Sequence, residues 1–336
     1  MSSGRNSKKF TVFEMTKLSI LIPNYNGGKK LERAIESCKN IDLDNEDFEI
    51  RVLDNRSTDN SVEIVRDLQE DFDNLELEEN PENFGRIGNW NRCIEQAQGE
   101  HMVFLFVNEQ IAPENNISNV IEELDNRDLP FCKSGNIALS KTPANDIKDD
   151  FDVESVRKRL RKDIIADGTF SFGPLQTYVF DTEFLQKSEV KFDEDYGIMG
   201  DQDFIIRLGR QLEEDQNDDS FLTTNSRNII WDDETDRFNT NYNDSDDIEE
   251  NFEWYVERNI RDYTSLPRIF LSFVRLSDIK VYNLLHRISG GRFARKFDGS
   301  KIREYEGPYY PLMSFLSYFY IVKWISVIRK LFKSFS

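Results

Sequence analysis

Short apolar runs alternate along the first third of the chain with segments whose apolar positions recur every three or four residues. Leu18–Ile22 (LSILI), between Lys17 and Pro23, is a partly β-branched run that predicts a strand buried on both faces, stopped by Pro23 and followed by Asn24-Tyr25-Asn26-Gly27-Gly28. Between Lys29 and Lys39, Leu31, Ala34, Ile35 and Cys38 stand at helical spacing, and Phe48–Leu53 reads as a second strand. Asn60–Phe72 reads as a helix capped by Ser57 or Asp59, Leu75–Glu79 as a short strand, Asn89–Ala97 as a helix and Met102–Val107 as a further strand. This order predicts a mostly parallel α/β sheet with right-handed connections and flanking helices. Ligands of such sheets sit at the carboxyl ends of the strands, so the informative loops are Asn24–Gly28, Asp54–Asp59, Asn80–Gly88 and Asn108–Pro113.

Farther along the pattern loosens. Asn145–Asp152 reads as a polar connector, Val153–Lys162 as a basic exposed helix, Phe170–Phe180 as a turn leading into a strand, and Asp201–Gln211 as a helix. Gln211–Asp219 and Asp232–Glu250 are rich in acid and Asn and read as solvated loops. The stretch Leu312–Ile328 is apolar apart from Lys323 and three serines, but its 17 residues fall short of the roughly 20 that span a bilayer as a helix. Tyr309, Tyr310, Tyr318, Tyr320 and Trp324, with Lys323, Arg329, Lys330 and Lys333, suit a helix lying in a membrane interface through 309–333. The competing reading packs this helix on the rest of the chain or in a dimer. The pattern does not fix the oligomeric state.

Charge sharpens this division. The net charge is -20, but the residues from Ser265 onward hold 13 Lys and Arg against 4 Asp and Glu, whereas Met1–Thr264 hold 30 against 59. So acidic a body repels phosphate polymers, which excludes nucleic acid as a general partner. The acid excess suits either a halophile surface or an ordinary acidic cytosolic protein. Cys38, Cys93 and Cys132 are far apart and follow no metal or disulfide spacing, which points to a reducing compartment. His101 and His286 are the only histidines, so a histidine-based triad or zinc cluster is not expected. The expected organisation is a flexible arm over 1–16 without a secretory h-region, a domain over 17–264, and a basic helical tail over 265–336.

Candidate chemistry lies in the loops. Pro23 and Tyr25 adjoin two glycines that let backbone approach a ligand. Asp54 ends the second strand, where a carboxylate can accept a hydrogen bond from a uracil ring N–H or a ribose hydroxyl. Gly85, Arg86 and Gly88 precede a helix start, a setting suited to a phosphate or a base edge. Taken singly, each is equally an ordinary turn.

Together, in this order, IPNYN (Ile22–Asn26), LDNRSTD (Leu53–Asp59), Asn83–Asn91, QGEHMVFLFVNE (Gln98–Glu109) and the acidic segment Phe192–Leu208 resemble the inverting family 2 glycosyltransferases of GT-A fold. The resemblance covers about 17–210. It implies a nucleotide-binding half over 17–112, an acceptor half over 113–264, and transfer of a sugar from a nucleotide-diphosphate donor, a UDP-sugar first, to a hydroxyl of a glycan or polyprenyl-linked acceptor. Inverting transfer is a single displacement that needs a carboxylate base and positive charge at the leaving phosphates. The resemblance places Asp201 as the base, against a bland reading as helix cap, and Pro23, Tyr25, Asp54, Arg86 and Asn108 at the nucleotide-sugar. Gly173 and Asp203 fall to the acceptor. Mg2+ or Mn2+ would bridge the diphosphate, yet the usual Asp-any-Asp is here Asn108-Glu109, leaving Glu109 as the one carboxylate for metal. Trp231 and Asp232 are softer candidates for a late ligand. An alternative is a degenerate GT-A protein that binds or scaffolds within a membrane glycosylation complex. The expected place is the cytoplasm, peripheral on the inner face of the cell membrane.

Overall fold

The computed structural model describes residues 16–135, 138–139, 150–160, 172, 174–194 and 200–231. The arm up to residue 15, the tail with its interfacial aromatics, Gly173, Asp232 and His286 lie outside the described residues.

β1 (Leu18–Asn24) is the centre of the parallel half of the sheet. It pairs along its whole length with β2 (Phe48–Asp54), which pairs with β3 (Leu75–Glu79), while the other edge of β1 meets β4 (His101–Phe104). All of these pairs are parallel, and α1 (Lys29–Ser37), α2 (Ser61–Leu68) and α3 (Gly85–Gln96) supply the crossovers. The sheet continues in the order β3-β2-β1-β4-β9-β6-β10-β8. Here β9 (Tyr178–Asp181) runs antiparallel to both β4 and β6 (Phe131–Lys133), β10 (Ser220–Thr224) runs parallel to β6, and β8 (Phe151–Ser155) closes the edge antiparallel to β10. A smaller sheet pairs β5 (Glu109–Ile111), β11 (Ile229–Trp231) and β7 (Ala138–Leu139).

The side-chain period of two splits β1 between two cores. Ile20 and Ile22 pack with Leu31 and Ile35 of α1 and with Val120 of α4 (Ile117–Arg127), while Leu21 packs with Ile94 of α3 and Phe204 of the helix Gly200–Gln216. A sheet covered on both faces explains why its central strands read as continuous apolar runs.

Several expectations need correction. Pro23 does not stop β1, which runs on to Asn24. Leu21 turns its carbonyl toward β4, accepting from Leu105 N, and Asn24 turns its carbonyl toward β2, accepting from Asn55 N, so the alternation aims Pro23 at the β4 side. That ladder ends at Phe104, and the missing proline N–H leaves no hydrogen bond unmade. α3 begins at Gly85 rather than Asn89, so Arg86 and Gly88 are helical. The expected basic helix over Val153–Lys162 opens instead as β8, with helix only over 156–160 in the described part, and Val156 and Leu160 are fully buried. The acidic segment after Gln211 is not a loop throughout, because the helix from Gly200 continues to Gln216 and β10 starts at Ser220.

Candidate active site

The parallel register brings β1 and β2 to an end side by side, Asn24 against Asp54. Both side chains are buried, and they organise the loops that follow. Asn24 Nδ2 donates to Asp54 Oδ1 (2.7 Å), its Oδ1 accepts from the Gly27 N–H (3.1 Å), and the Ser57 N–H donates to Asp54 Oδ2 (2.9 Å). Gly27 is required here, since a Cβ would lie 2.3 Å from Asn24 Oδ1. Ser57 does not cap α2; its hydroxyl donates to Asp54 and accepts from the Asn26 N–H, and the Ser61 N–H donates to Asp59. Asp54 is 2% exposed, and its carboxylate already accepts three hydrogen bonds, two at Oδ1 and one at Oδ2. Of roughly four lone-pair sites one remains at Oδ2, so base reading by Asp54 is narrower than the sequence implied. Tyr25 is 53% exposed, and Pro23 is half-buried beside it.

The third loop is tied to the second by an amide network. Asn55 Nδ2 donates to Asn83 Oδ1 (2.9 Å) and Gly85 O (3.0 Å), while its Oδ1 accepts from Asn80 Nδ2 (3.1 Å) and the Phe84 N–H (3.0 Å). Asn80 also donates to Asn89, and Asn89 donates to Leu53 O on β2. The start of α3 is therefore fixed by side chains from the ends of β2 and β3. Arg86, in that first turn, is exposed and lies 5.3 Å over the Trp90 ring, and Trp90 contacts Phe106 (5.1 Å) and Phe192 (5.4 Å).

Beyond β4 the chain turns through Phe106, Val107 and Asn108 into β5. Asn108 is half-buried, whereas Glu109 is 2% exposed. Glu109 Oε2 accepts the Phe106 N–H (3.2 Å) and Oε1 accepts from Gln176. Burial pushes its carboxyl up to about 8, against the lowering by these two donors, so the group is largely protonated at neutral pH. Gln176 belongs to the single-turn 3-10 helix Leu175–Thr177, and nothing in its sequence marks it out.

The same turn reaches Asp201. Burial raises the Asp201 carboxyl, opposed by the Gln202 N–H (2.9 Å to Oδ1), its own N–H, the Arg86 charge and the Leu175 N–H. Arg86 and Asp201, far apart in sequence, thus stand within electrostatic reach at the carboxyl end of the sheet, with Leu175–Thr177 linking Asp201 to Glu109. Asp203 is not part of this group. It is 0% exposed and accepts from Arg207 Nε (2.7 Å), whose other arm holds Lys191 O (2.7 Å). Two positions along a helix are about 200° apart, so the phase that turns Asp201 to the site turns Asp203 to the core and away from any acceptor. His101 lies at the opposite end of β4, Nε2 3.3 Å from Asp125.

The expected metal does not fit these residues. Hard divalent cations want anionic oxygens with room for several waters. Glu109 is buried and held by two protein donors, and Asn108 is neutral. Among the described residues no three His, Cys, Asp or Glu side chains gather as a metal group.

Comparison with known proteins adds three findings. Residues 19–173 match the family described as Glycosyl transferase family 2. A Campylobacter jejuni GalNAc(5)-diNAcBac-PP-undecaprenol beta-1,3-glucosyltransferase is 40% identical over 93 residues, 27% of this chain and 29% of that protein. A Methanococcus voltae dolichyl N-acetyl-alpha-D-glucosaminyl phosphate 3-beta-D-2,3-diacetamido-2,3-dideoxy-beta-D-glucuronosyltransferase is 26% identical over 206 residues, 58% of this chain and 61% of that protein. The chain therefore spans less than two thirds of either relative. Among solved structures, Staphylococcus aureus TarS 1-349 in complex with UDP-GlcNAc has a TM-score of 0.56 at 19% identity, covering 77% of this chain and 70% of that one. A Pyrobaculum calidifontis mannosyltransferase in complex with GDP-Man and Mn2+ has a TM-score of 0.53 at 13% identity, covering 95% and 88%. At these identities the likeness is one of fold, the GT-A arrangement expected from the sequence.

Proposed function

We propose, from the premise that the domain at residues 19–173 belongs to glycosyl transferase family 2, that this protein moves a sugar from a nucleoside-diphosphate donor to a hydroxyl of a glycan or lipid-linked glycan, with inversion. The observation that carries this reading is that the charge of Arg86, whose backbone is tied to the end of β2 through Asn55, acts on Asp201. Asp201 accepts the acceptor's hydroxyl proton as that oxygen attacks the anomeric carbon. The bond from that carbon to the diphosphate breaks, and its electron pair leaves with the diphosphate. A carboxylate raised by burial suits the task, since a base works best with its pKa near the operating pH.

Asp54 and Tyr25 border the nucleoside in this reading, and the remaining acceptor site on Asp54 favours a base with a ring N–H, as in UDP-sugars. A lipid-linked acceptor is supported by the undecaprenol and dolichyl substrates in the names of the two relatives. No described helix is long and apolar enough to cross a membrane. Contact through 309–333 on the cytoplasmic face is tested by partition onto anionic vesicles; equal partition of the full chain and a chain cut near Ser300 counts against it.

The decisive experiment is a panel of nucleotide-sugars with Asp201→Asn beside the native chain. Transfer by the native protein, abolished in the variant with donor binding retained, is expected. Undiminished transfer by the variant would refute the assignment of the base. Donor binding by the native chain with no transfer or nucleotide release would favour the scaffold reading, which the metal-poor corner at Phe106–Glu109 keeps in play.

A further inference from the structure

We propose that Arg86, rather than a divalent cation, supplies the positive charge that meets the donor's diphosphate, so that donor binding is independent of Mg2+ and Mn2+. The inference rests on the nucleotide-sugar reading above and deepens it.

Three observations converge. The first is the misfit of the β4–β5 corner. Each carboxylate oxygen of Glu109 accepts a hydrogen bond, from the Phe106 N–H and the Gln176 amide, and the side chain is 2% exposed. A cation that keeps several waters would have to reach the one carboxylate of this corner, which is buried and already held by two protein donors.

The second is that the cation in this region is held in place. Asn55 accepts from the Phe84 N–H and donates to Gly85 O, which fixes the backbone immediately before Arg86. The guanidinium carbon then sits 5.3 Å over Trp90, itself anchored between Phe106 and Phe192. A guanidinium stays charged at every working pH and grips phosphate oxygens through two parallel N–H donors, whereas a lysine would offer only a point charge.

The third is position. The Arg86 charge acts on Asp201, so it stands within electrostatic reach of the proposed base. In a displacement the attacking and leaving oxygens lie on opposite sides of one carbon atom. The exposed guanidinium, rooted in the first turn of α3, faces the leaving oxygen in this reading. The bond to the diphosphate breaks with its electron pair going to the phosphate oxygen, and the guanidinium offsets that charge without proton transfer.

The test is calorimetric titration of the full chain with UDP, GDP and ADP, each in EDTA and in Mn2+ or Mg2+, with UMP as the comparison ligand. Native affinity for the preferred diphosphate is expected to agree within about twofold across these conditions, and Arg86→Ala to weaken it at least tenfold, the scale of one lost charge-assisted contact. Arg86→Lys should recover part of this loss. UMP affinity unchanged in Arg86→Ala would show that the loss is of the second phosphate and not of the fold. Tightening of the native protein by Mn2+ or Mg2+ of about tenfold or more would overturn the inference and leave the nucleotide-sugar reading standing. So would Arg86→Ala binding the diphosphate as the native chain does. Failure of the native chain to bind any diphosphate in any condition would sink the nucleotide-sugar reading, and the inference with it.

Discussion

The two sides of the site are built on opposite plans. On the nucleotide side, polar groups saturate one another: the Asn55 side chain makes four hydrogen bonds, and the Asp54 carboxylate takes three, from Asn24 and Ser57. On the transfer side, carboxylates are left at odds with their surroundings, Glu109 and Asp201 both raised chiefly by burial. A saturated network holds a shape, and an unbalanced carboxylate holds a readiness to take up a proton. Their difference separates the part that orders loops from the part that reacts, and substitutions should divide along the same line.

The largest effect belongs to the transfer side. Asp201→Asn keeps the side chain's shape while removing the base, and loss of general base catalysis is expected to lower the turnover rate by about a hundredfold or more. Donor affinity, measured by titration, should change little. A similar loss of donor affinity would mean that Asp201 shapes the pocket and does not act as the base.

Glu109 gives the next effect, and it is read in stability. Folded, it keeps its proton up to about pH 8, whereas the unfolded chain releases it near 4.5. The folded state therefore binds more protons across this window, and stability falls as pH rises through it, by about 1.4 kcal/mol per pH unit where the difference is a full proton. Above pH 8 the fall ends. Glu109→Gln removes it, so urea melts of the variant should vary less between pH 5 and 9 than those of the native chain. Parallel pH profiles would show that Glu109 is ionised in the fold, which would reopen the corner to a cation.

On the nucleotide side the test is Asn55→Ala, which strips partners from the Phe84 N–H, the Asn80 amide, Asn83 and Gly85 O at once. Leaving buried donors and acceptors without partners is expected to lower stability by about 1–3 kcal/mol. Because Asn55 fixes the start of α3, diphosphate affinity should fall as well, while UMP affinity falls less. A variant as stable as the native chain would show that water replaces the amide and that the network is not what orders the third loop.

This division also decides what the sequence could show. β1 and β4 were legible because a sheet covered on both faces demands nearly unbroken apolar runs, as in Leu18–Ile22, and β2 and β3 because Phe48, Ile50 and Val52, and Leu75 and Leu77, alternate with charged residues. The early start of α3 was hidden by Gly85 and Gly88, which local preference assigns to a turn and which the Asn55 network overrides. β8 was misread because, among the described residues, Phe151–Ser155 pairs with β10, a partner nearly seventy residues downstream. The polar loops at the strand ends pointed to Asp54 and Arg86, and Asn55 ties these two loops together, but no local pattern discloses that Gln176 closes over Glu109. Asp203 was assignable: the spacing Asp203–Arg207 is that of an i,i+4 ion pair, and Phe204, Ile205 and Leu208 already mark the buried side of that helix.

The smallest effect expected tests whether the two sides communicate through Arg86. Its charge lowers the Asp201 pKa against the larger upward push of burial. Replacing it with Gln removes the opposing influence, so the pKa of the base rises and the acid limb of kcat/KM, where Asp201 must be ionised, moves to higher pH. Arg86→Lys keeps the charge and should leave the limb near its native position. Since Arg86 is exposed, salt screens its charge, and the separation between the Gln variant and the native chain should shrink as ionic strength increases. A limb that does not move in Arg86→Gln, with diphosphate affinity lost, would confine Arg86 to the leaving group. A limb that moves with affinity intact would confine it to the base and contradict its role at the phosphates.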